Sequence, residues 1–169
     1  MDVNPKLIEV LQKHIPDHSD EGNLLLVTDD DTAPIQTEFL KKYLKEINPE
    51  LVIETGTNAC CFPGFVKEFL PDVKVITFGR DDWSGPCVDA VNKFYGEDYI
   101  TFIEGDSTVT MPQYVYQFEG HKSKNSAAWM DGGHTLPVAY SDLVHLYKYG
   151  VDHIFVDDIN PKWPWQTLV

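Results

Sequence analysis

Two short segments of this 169-residue chain carry side chains that could do chemistry together. The first is Asp131-Gly-Gly-His134, and the second is Asp157-Asp158, which begins 26 residues after Asp131. Carboxylates without a cysteine ligand suit a hard cation such as Mg²⁺, which keeps several of its waters. A histidine three residues after a carboxylate could take a proton from a bound hydroxyl. The alternative is that Asp131 caps a following helix and that Asp157-Asp158 closes a turn.

The elements that must position these side chains are short apolar runs that alternate with helix-length stretches. The runs are rich in β-branched and aromatic residues, and the predicted strands cover 51–53, 73–78, 99–103, 127–130 and 153–156. Predicted helices cover 5–15, 62–70, 85–95, 109–118 and 135–148, with a further helix from residue 33 that stops before Pro49. Near-continuous apolar strands that alternate with helices indicate a parallel sheet covered on both faces. The predicted fold class is therefore α/β, a Rossmann-like open and mostly parallel sheet of about five strands.

The predicted domain organisation is one globular unit in two parts. An N-terminal helix and an acidic loop cover 1–32, and the α/β domain covers 33–169. The loop contains three successive aspartates from Asp29, which could bind a metal, but Asp31 or Thr32 as the cap of the next helix is favoured. The last predicted helix has an apolar stripe at helical spacing, which is predicted to be buried: Leu136, Ala139, Tyr140, Leu143 and Leu146.

Acidic residues follow every predicted strand, where ligands bind in sheets of this kind. They are Glu54, Asp81 and Asp82, Glu104 and Asp106, Asp131, and Asp157 with Asp158. One crossover helix and a strand separate Asp131 from Asp157, which predicts that the two lie level on neighbouring strands. Gly56, which follows the acid at residue 54, would let the backbone approach a ligand with free amide N–H groups. The alternative for this segment is an ordinary turn from strand to helix. Asp106 would either accept from an exocyclic amine or cap the helix that follows it.

The composition excludes several classes of partner. The chain has 27 acidic and 13 basic residues, so its formal charge is 13 − 27 = −14. Such a charge argues against nucleic acid and against an anionic membrane surface. The first residues lack the features of a secretory signal, and three cysteines do not make a disulfide framework. These features predict a cytoplasmic protein.

Four segments, in this order, resemble the class I S-adenosylmethionine-dependent methyltransferases. They are Leu-Val-Ile-Glu-Thr-Gly-Thr (51–57), Phe-Ile-Glu-Gly-Asp-Ser (102–107), Met-Asp-Gly-Gly-His-Thr (130–135) and Ile-Phe-Val-Asp-Asp (154–158). The resemblance covers about residues 33–160 and implies a sheet with strand order 3-2-1-4-5. The Asp-Gly-Gly-His segment resembles the branch that contains metal-dependent O-methyltransferases of sugars and small metabolites.

The resemblance also implies roles for individual residues. It assigns S-adenosylmethionine (SAM) as the cofactor, and the residues that would bind it are Glu54, Gly56, Thr57, Asn58, Asp81, Asp106, Ser107 and Asp131. It assigns Mg²⁺ to Asp131, Asp157 and Asp158. His134 would be the base toward a substrate hydroxyl, with Asp131 beside it. The implied activity is O-methylation of a small-molecule or sugar hydroxyl.

The sequence departs from the family pattern in three places. Asn58 and Cys60 stand where the first motif usually has glycines, and Gly79 replaces the acid that grips the ribose. Asp81 or Asp82 could substitute for that acid if the loop bends back. The family normally adds two strands after the fifth, so the edge at 154–156 is expected to be covered by later residues or by a second copy of the chain.

Two other functions stay open at this point. The first is a degenerate, non-catalytic domain of the same fold that binds a nucleoside or a protein partner. The second is a different metal-dependent enzyme on a doubly wound fold, because a fold does not determine a function. NAD is disfavoured as a cofactor, since no Gly-x-Gly-x-x-Gly follows the first strand.

Overall fold

Five parallel strands form one sheet in the computed structural model, which describes residues 4–15, 33–96, 98–117 and 125–157. The strands are β1 (Leu51–Thr55), β2 (Lys74–Gly79), β3 (Ile100–Glu104), β4 (Ser126–Met130) and β5 (His153–Val156). Their order in the sheet is β3-β2-β1-β4-β5. The helices are α1 (Pro5–Leu11), α2 (Ala33–Ile47), α3 (Cys61–Lys67), α4 (Ser84–Tyr95), α5 (Ser107–Gln117) and α6 (Leu136–Tyr149). The predicted fold class and the implied strand order are both confirmed.

Each face of the sheet has its own apolar core, because successive residues of a strand point to opposite faces. Val52 and Ala127 face one core, which also contains buried residues of α1, α2, α3 and α4. Ile53 and Ala128 face the other core, which contains Met111 of α5 and Leu146 of α6. Helices therefore cover both faces, and the carboxyl ends of the strands are left for a site.

The first helix packs against the sheet domain. It is shorter than predicted and ends at Leu11, and its residues Leu7 and Leu11 are fully buried in the same core as Val52. Gly64 of α3 makes room for it, since a Cβ there would lie 2.7 Å from Leu7 Cδ2. The predicted domain boundary and the acidic loop at 29–31 lie outside the described residues.

The predicted stripe of α6 is wrong in part. Leu136 and Tyr140 are 41% and 65% exposed, whereas Asp142 and Leu146 are buried. Ala139, Asp142 and Leu146 follow one another at helical spacing, so the buried face is turned away from Tyr140. A count of apolar residues alone misses this rotation, because one member of the buried stripe is an aspartate.

Among the described residues, none of the helices is both long and apolar enough to cross a bilayer.

Candidate functional site

The carboxyl ends of β1, β4 and β5 lie side by side. Thr55 pairs with Met130, and Met130 pairs with Val156. The ladder continues one residue further, since the Asp131 amide donates to the Thr55 carbonyl and the Asp157 amide to the Met130 carbonyl, each at 3.0 Å. The prediction that Asp131 and Asp157 lie level on neighbouring strands is confirmed.

Asp131 and His134 meet at the mouth of a shallow pocket. His134 Nε2 lies 3.7 Å from Asp131 Oδ1, and the two side chains are 58% and 37% exposed. The helix that follows starts after an N-cap at Thr135, so the alternative in which Asp131 caps it is wrong. The pocket is lined by Met130, Asp131, Gly132, Gly133, His134, Ala139, Asp142 and Asp157.

Gly132 and Gly133 allow the turn that follows β4 to pack closely against α6. A Cβ on Gly132 would lie 2.8 Å from Asp142 Oδ2, and a Cβ on Gly133 would lie 2.9 Å from Val138 Cγ1. Any larger residue would lift the turn away from the helix. The two glycines therefore hold Asp131 and His134, which flank them, at the pocket.

The described residues form no cluster of three or more histidine, cysteine, aspartate or glutamate side chains that could hold a metal ion. Asp131 and Asp157 come from adjacent strand ends, but the third implied ligand, Asp158, lies outside the described residues. The magnesium site at Asp131, Asp157 and Asp158 therefore stays a prediction.

The loop after β1 packs directly against the loop after β4. Gly56 has a φ of +94°, and a Cβ there would lie 1.9 Å from the carbonyl oxygen of Asp131, so only glycine fits. The expectation of free amides at this turn is wrong for Gly56 and Thr57. The amides of Gly56 and Thr57 donate to the Phe78 carbonyl at 2.9 and 3.1 Å, because the loop continues along the end of β2.

Asn58 and Cys60 keep the left-handed backbone that glycines would adopt. Their φ angles are 41° and 60°, which are strained for residues with a Cβ. Contacts with the start of α4 hold the loop in this shape: Trp83 Nε1 donates to Asn58 Oδ1 at 3.1 Å, and Ser84 Oγ donates to the Asn58 carbonyl at 2.9 Å. The role of Trp83 was not predicted from the sequence.

Glu54 lies beneath this loop and is closed off from solvent. Its side chain is 2% exposed and accepts a hydrogen bond of 2.5 Å from Thr77 Oγ1, which is also 2.7 Å from Thr57 Oγ1. Burial raises the pKa of Glu54 well above its usual value, and the charge of Asp131 raises it further, while the Thr77 bond lowers it. Glu54 and Thr57 thus anchor the loop from within.

Packing explains why β2 ends in glycine and not in an acid. A Cβ on Gly79 would lie 2.6 Å from Thr57 Oγ1 and 2.7 Å from Thr57 Cβ. The Thr57 side chain therefore occupies the space that an acid at residue 79 would need. Asp81, which is half-buried, follows in the turn into α4, where its carbonyl accepts from the Ser84 amide at 2.9 Å.

We expect Gly79→Ala to lower the free energy of unfolding by about 2 kcal/mol, as for other overpacked sites. The reason is the collision with Thr57, so the same change in a Thr57→Gly background should cost clearly less. Urea unfolding of the four proteins gives the coupling between the two positions. An equal cost in both backgrounds would show that Thr57 is not what keeps residue 79 small.

Asp106 caps the helix that follows it. Its Oδ1 accepts from the Thr108 amide at 2.9 Å and from Thr108 Oγ1 at 2.6 Å, and these two bonds lower its pKa. The cap is therefore present, and the contact with an exocyclic amine stays a prediction. Ser107, the first residue of α5, lies beside Asp142 and lowers the pKa of that carboxylate.

Asp142 is a polar residue of the pocket that sequence reasoning missed. It is 1% exposed, and neither carboxylate oxygen makes a hydrogen bond of standard geometry with the described residues. Burial raises its pKa, while the nearby hydroxyls of Ser107 and Thr55 lower it. The signal was its helical spacing from Ala139 and Leu146, which places it on the buried face.

No family model and no curated protein sequence matches this chain. Solved structures with the same fold include CalS11, a calicheamicin methyltransferase, at 14% identity and a TM-score of 0.61, covering 98% of this chain and 80% of that one. The O-methyltransferase TomG from Streptomyces achromogenes, involved in tomaymycin synthesis and solved with SAM, matches at 14% identity and a TM-score of 0.61, covering 94% of this chain and 66% of TomG.

The methyltransferase PaMTH1 from Podospora anserina, solved with bound SAH, matches at 13% identity and a TM-score of 0.61, covering 94% of this chain and 63% of that one. This chain thus spans between 63% and 80% of the length of the three proteins. At such identities the likeness establishes the fold. That fold is the one implied by the sequence resemblance, the fold of class I SAM-dependent methyltransferases.

Proposed function

We propose that this protein is a SAM-dependent methyltransferase that modifies a hydroxyl group of a small molecule. The observation that carries the proposal is the Asp131–His134 pair, which stands at the ends of β1, β4 and β5 in a methyltransferase fold. A base beside a carboxylate at this edge of the sheet suits proton removal from a hydroxyl.

The residues of this edge fit a cationic nucleoside cofactor. Gly56 and Asp131 bring two loops into contact, and Asp131 and Asp142 line one pocket with carboxylates. The Asp142 carboxylate and the Thr55 hydroxyl are buried without standard hydrogen bonds among the described residues. When bound, SAM supplies a methyl group on a positively charged sulfur. Negative charge at the pocket favours such a ligand over an anionic one.

The chain's own contribution to the reaction is positioning and proton removal. His134 takes the proton of the acceptor hydroxyl, and the carboxylate of Asp131, whose Oδ1 lies 3.7 Å from His134 Nε2, stabilises the imidazolium that forms. We propose further that Asp131, Asp157 and Asp158 hold Mg²⁺, which would lower the pKa of an acceptor hydroxyl bound to it.

Calorimetric titration with SAM, in the presence and absence of Mg²⁺, tests this function. We expect saturable binding of SAM to the full chain, and ATP serves as the control because it shares the adenosine but carries a negatively charged chain. Absence of SAM binding in both conditions would overturn the proposal. Equal binding of SAM and ATP would show a general nucleotide site instead.

A non-catalytic nucleoside-binding domain is the second candidate. It is favoured by the loop after β1, where Asn58 and Cys60 replace glycines and where the amides of Gly56 and Thr57 are already used. The two candidates differ in one measurement. A domain of this kind would bind SAM without any transfer of a labelled methyl group to hydroxyl-bearing acceptors.

A further inference from the structure

The carboxylate of Asp142 lies directly beneath the turn that carries Asp131 and His134. A Cβ added to Gly132 would lie 2.8 Å from Asp142 Oδ2 and 3.1 Å from Thr55 Oγ1. The backbone of the turn therefore rests on these two oxygens. Asp142 also lines the same pocket as Asp131, His134 and Asp157.

This carboxylate is held in a position that is unfavourable for folding. It is 1% exposed and makes no standard hydrogen bond with the described residues, so little of its lost hydration is replaced. The pKa of Asp142 is raised by this burial, but the hydroxyls of Ser107 and Thr55 and the nearby His145 oppose the rise. An apolar or amide side chain would fill the same space at lower cost. A costly buried charge beside a pocket points to a role in the pocket.

A buried charge acts on the pocket more strongly than an exposed one, because less water screens it. Asp131 is 37% exposed and already lies 3.7 Å from His134, so its field is partly screened and partly compensated. Asp142 has no such neighbour at ion-pair distance among the described residues. Its charge therefore acts on a ligand bound in the pocket that Gly132 and Asp142 line.

We propose that Asp142 is a specificity-determining residue that favours the positively charged cofactor SAM over its neutral product S-adenosylhomocysteine (SAH). This inference rests on the proposed function. The two ligands differ by one methyl group and one positive charge on sulfur. A fixed negative charge near the site therefore strengthens the binding of SAM relative to SAH, even if the charged side chain does not touch the ligand. After transfer the attraction is lost, and the neutral product leaves more readily.

The test compares the dissociation constants of SAM and SAH for the wild type and for Asp142→Asn, which removes the charge and keeps the shape. We expect the preference for SAM over SAH to fall about fivefold, mainly through weaker SAM binding. We also expect the midpoint of urea unfolding to rise, because an unpaired buried charge has been removed. Should Asp142→Asn not fold, Asp142→Ser removes the same charge.

A control variant separates the charge at Asp142 from the overall charge of the protein. Asp89→Asn removes one charge from the exposed face of α4 and should leave the preference for SAM over SAH unchanged. If Asp142 had only a structural role, Asp142→Asn would weaken the binding of SAM and of SAH equally.

The outcomes distinguish this inference from the function on which it rests. If the wild type binds both ligands and Asp142→Asn keeps the wild-type preference, the role of Asp142 is overturned and the proposed function stands. If the wild type binds neither ligand, the proposed function fails and this inference fails with it.

Discussion

Replacement of His134 by alanine is expected to reduce methyl transfer by about 10²- to 10⁴-fold, the usual contribution of a general base. SAM binding should change little, because the imidazole lies at the exposed mouth of the pocket and contacts Asp131 Oδ1 at 3.7 Å. The expected loss is therefore in kcat and not in cofactor affinity. Single-turnover transfer of a labelled methyl group, with calorimetry on the same sample, measures both quantities.

His153→Ala is the matched control for this experiment. His153 is an exposed histidine at the first residue of β5, so it stands at the end of the sheet opposite the site. Its replacement should leave transfer unchanged. Loss of SAM binding in His134→Ala would contradict the assigned role as base, and retention of full transfer would remove His134 from the reaction.

The fold was predictable because its signals are local. Each strand is a short apolar run, and the predicted range 153–156 agrees with β5 (His153–Val156). The level placement of Asp131 and Asp157 also followed from local facts, since a parallel crossover of ordinary length brings successive strand ends to the same edge. The order of the whole sheet needed the family resemblance, because the spacing of the other strands does not fix their neighbours.

What the sequence could not show depends on contacts between distant residues. The space at Gly79 is filled by Thr57, which is 22 positions earlier, and Asn58 is held by Trp83, 25 positions later. The burial of Asp142 was indicated only by its helical spacing from Ala139 and Leu146, and it depends on how α6 is rotated over the sheet. A prediction from the apolar pattern assumes that charged residues are exposed, so it is wrong for a charged residue that is buried beside a pocket.

Gly56 is the residue whose replacement is expected to lower the stability of the protein most, because a local backbone strain and a contact with a distant loop both act at this position. Its φ of +94° lies outside the range that side chains adopt readily, and an added Cβ would lie 1.9 Å from the carbonyl oxygen of Asp131. That oxygen is part of the backbone and cannot rotate away. Relief would require the loop after β1 to separate from the loop after β4, where the candidate site is built.

We therefore expect Gly56→Ala to lower the free energy of unfolding by about 4 kcal/mol, from backbone strain and overpacking together. Gly96→Ala isolates the first cause, because Gly96 also has a positive φ, +74°, but a Cβ there meets nothing within 4 Å. Its cost should be only about 1 kcal/mol. Urea unfolding of both variants measures the difference. Equal costs would mean that the two loops are not in the contact described, and the placement of Asp131 beside Gly56, on which the site depends, would have to be abandoned.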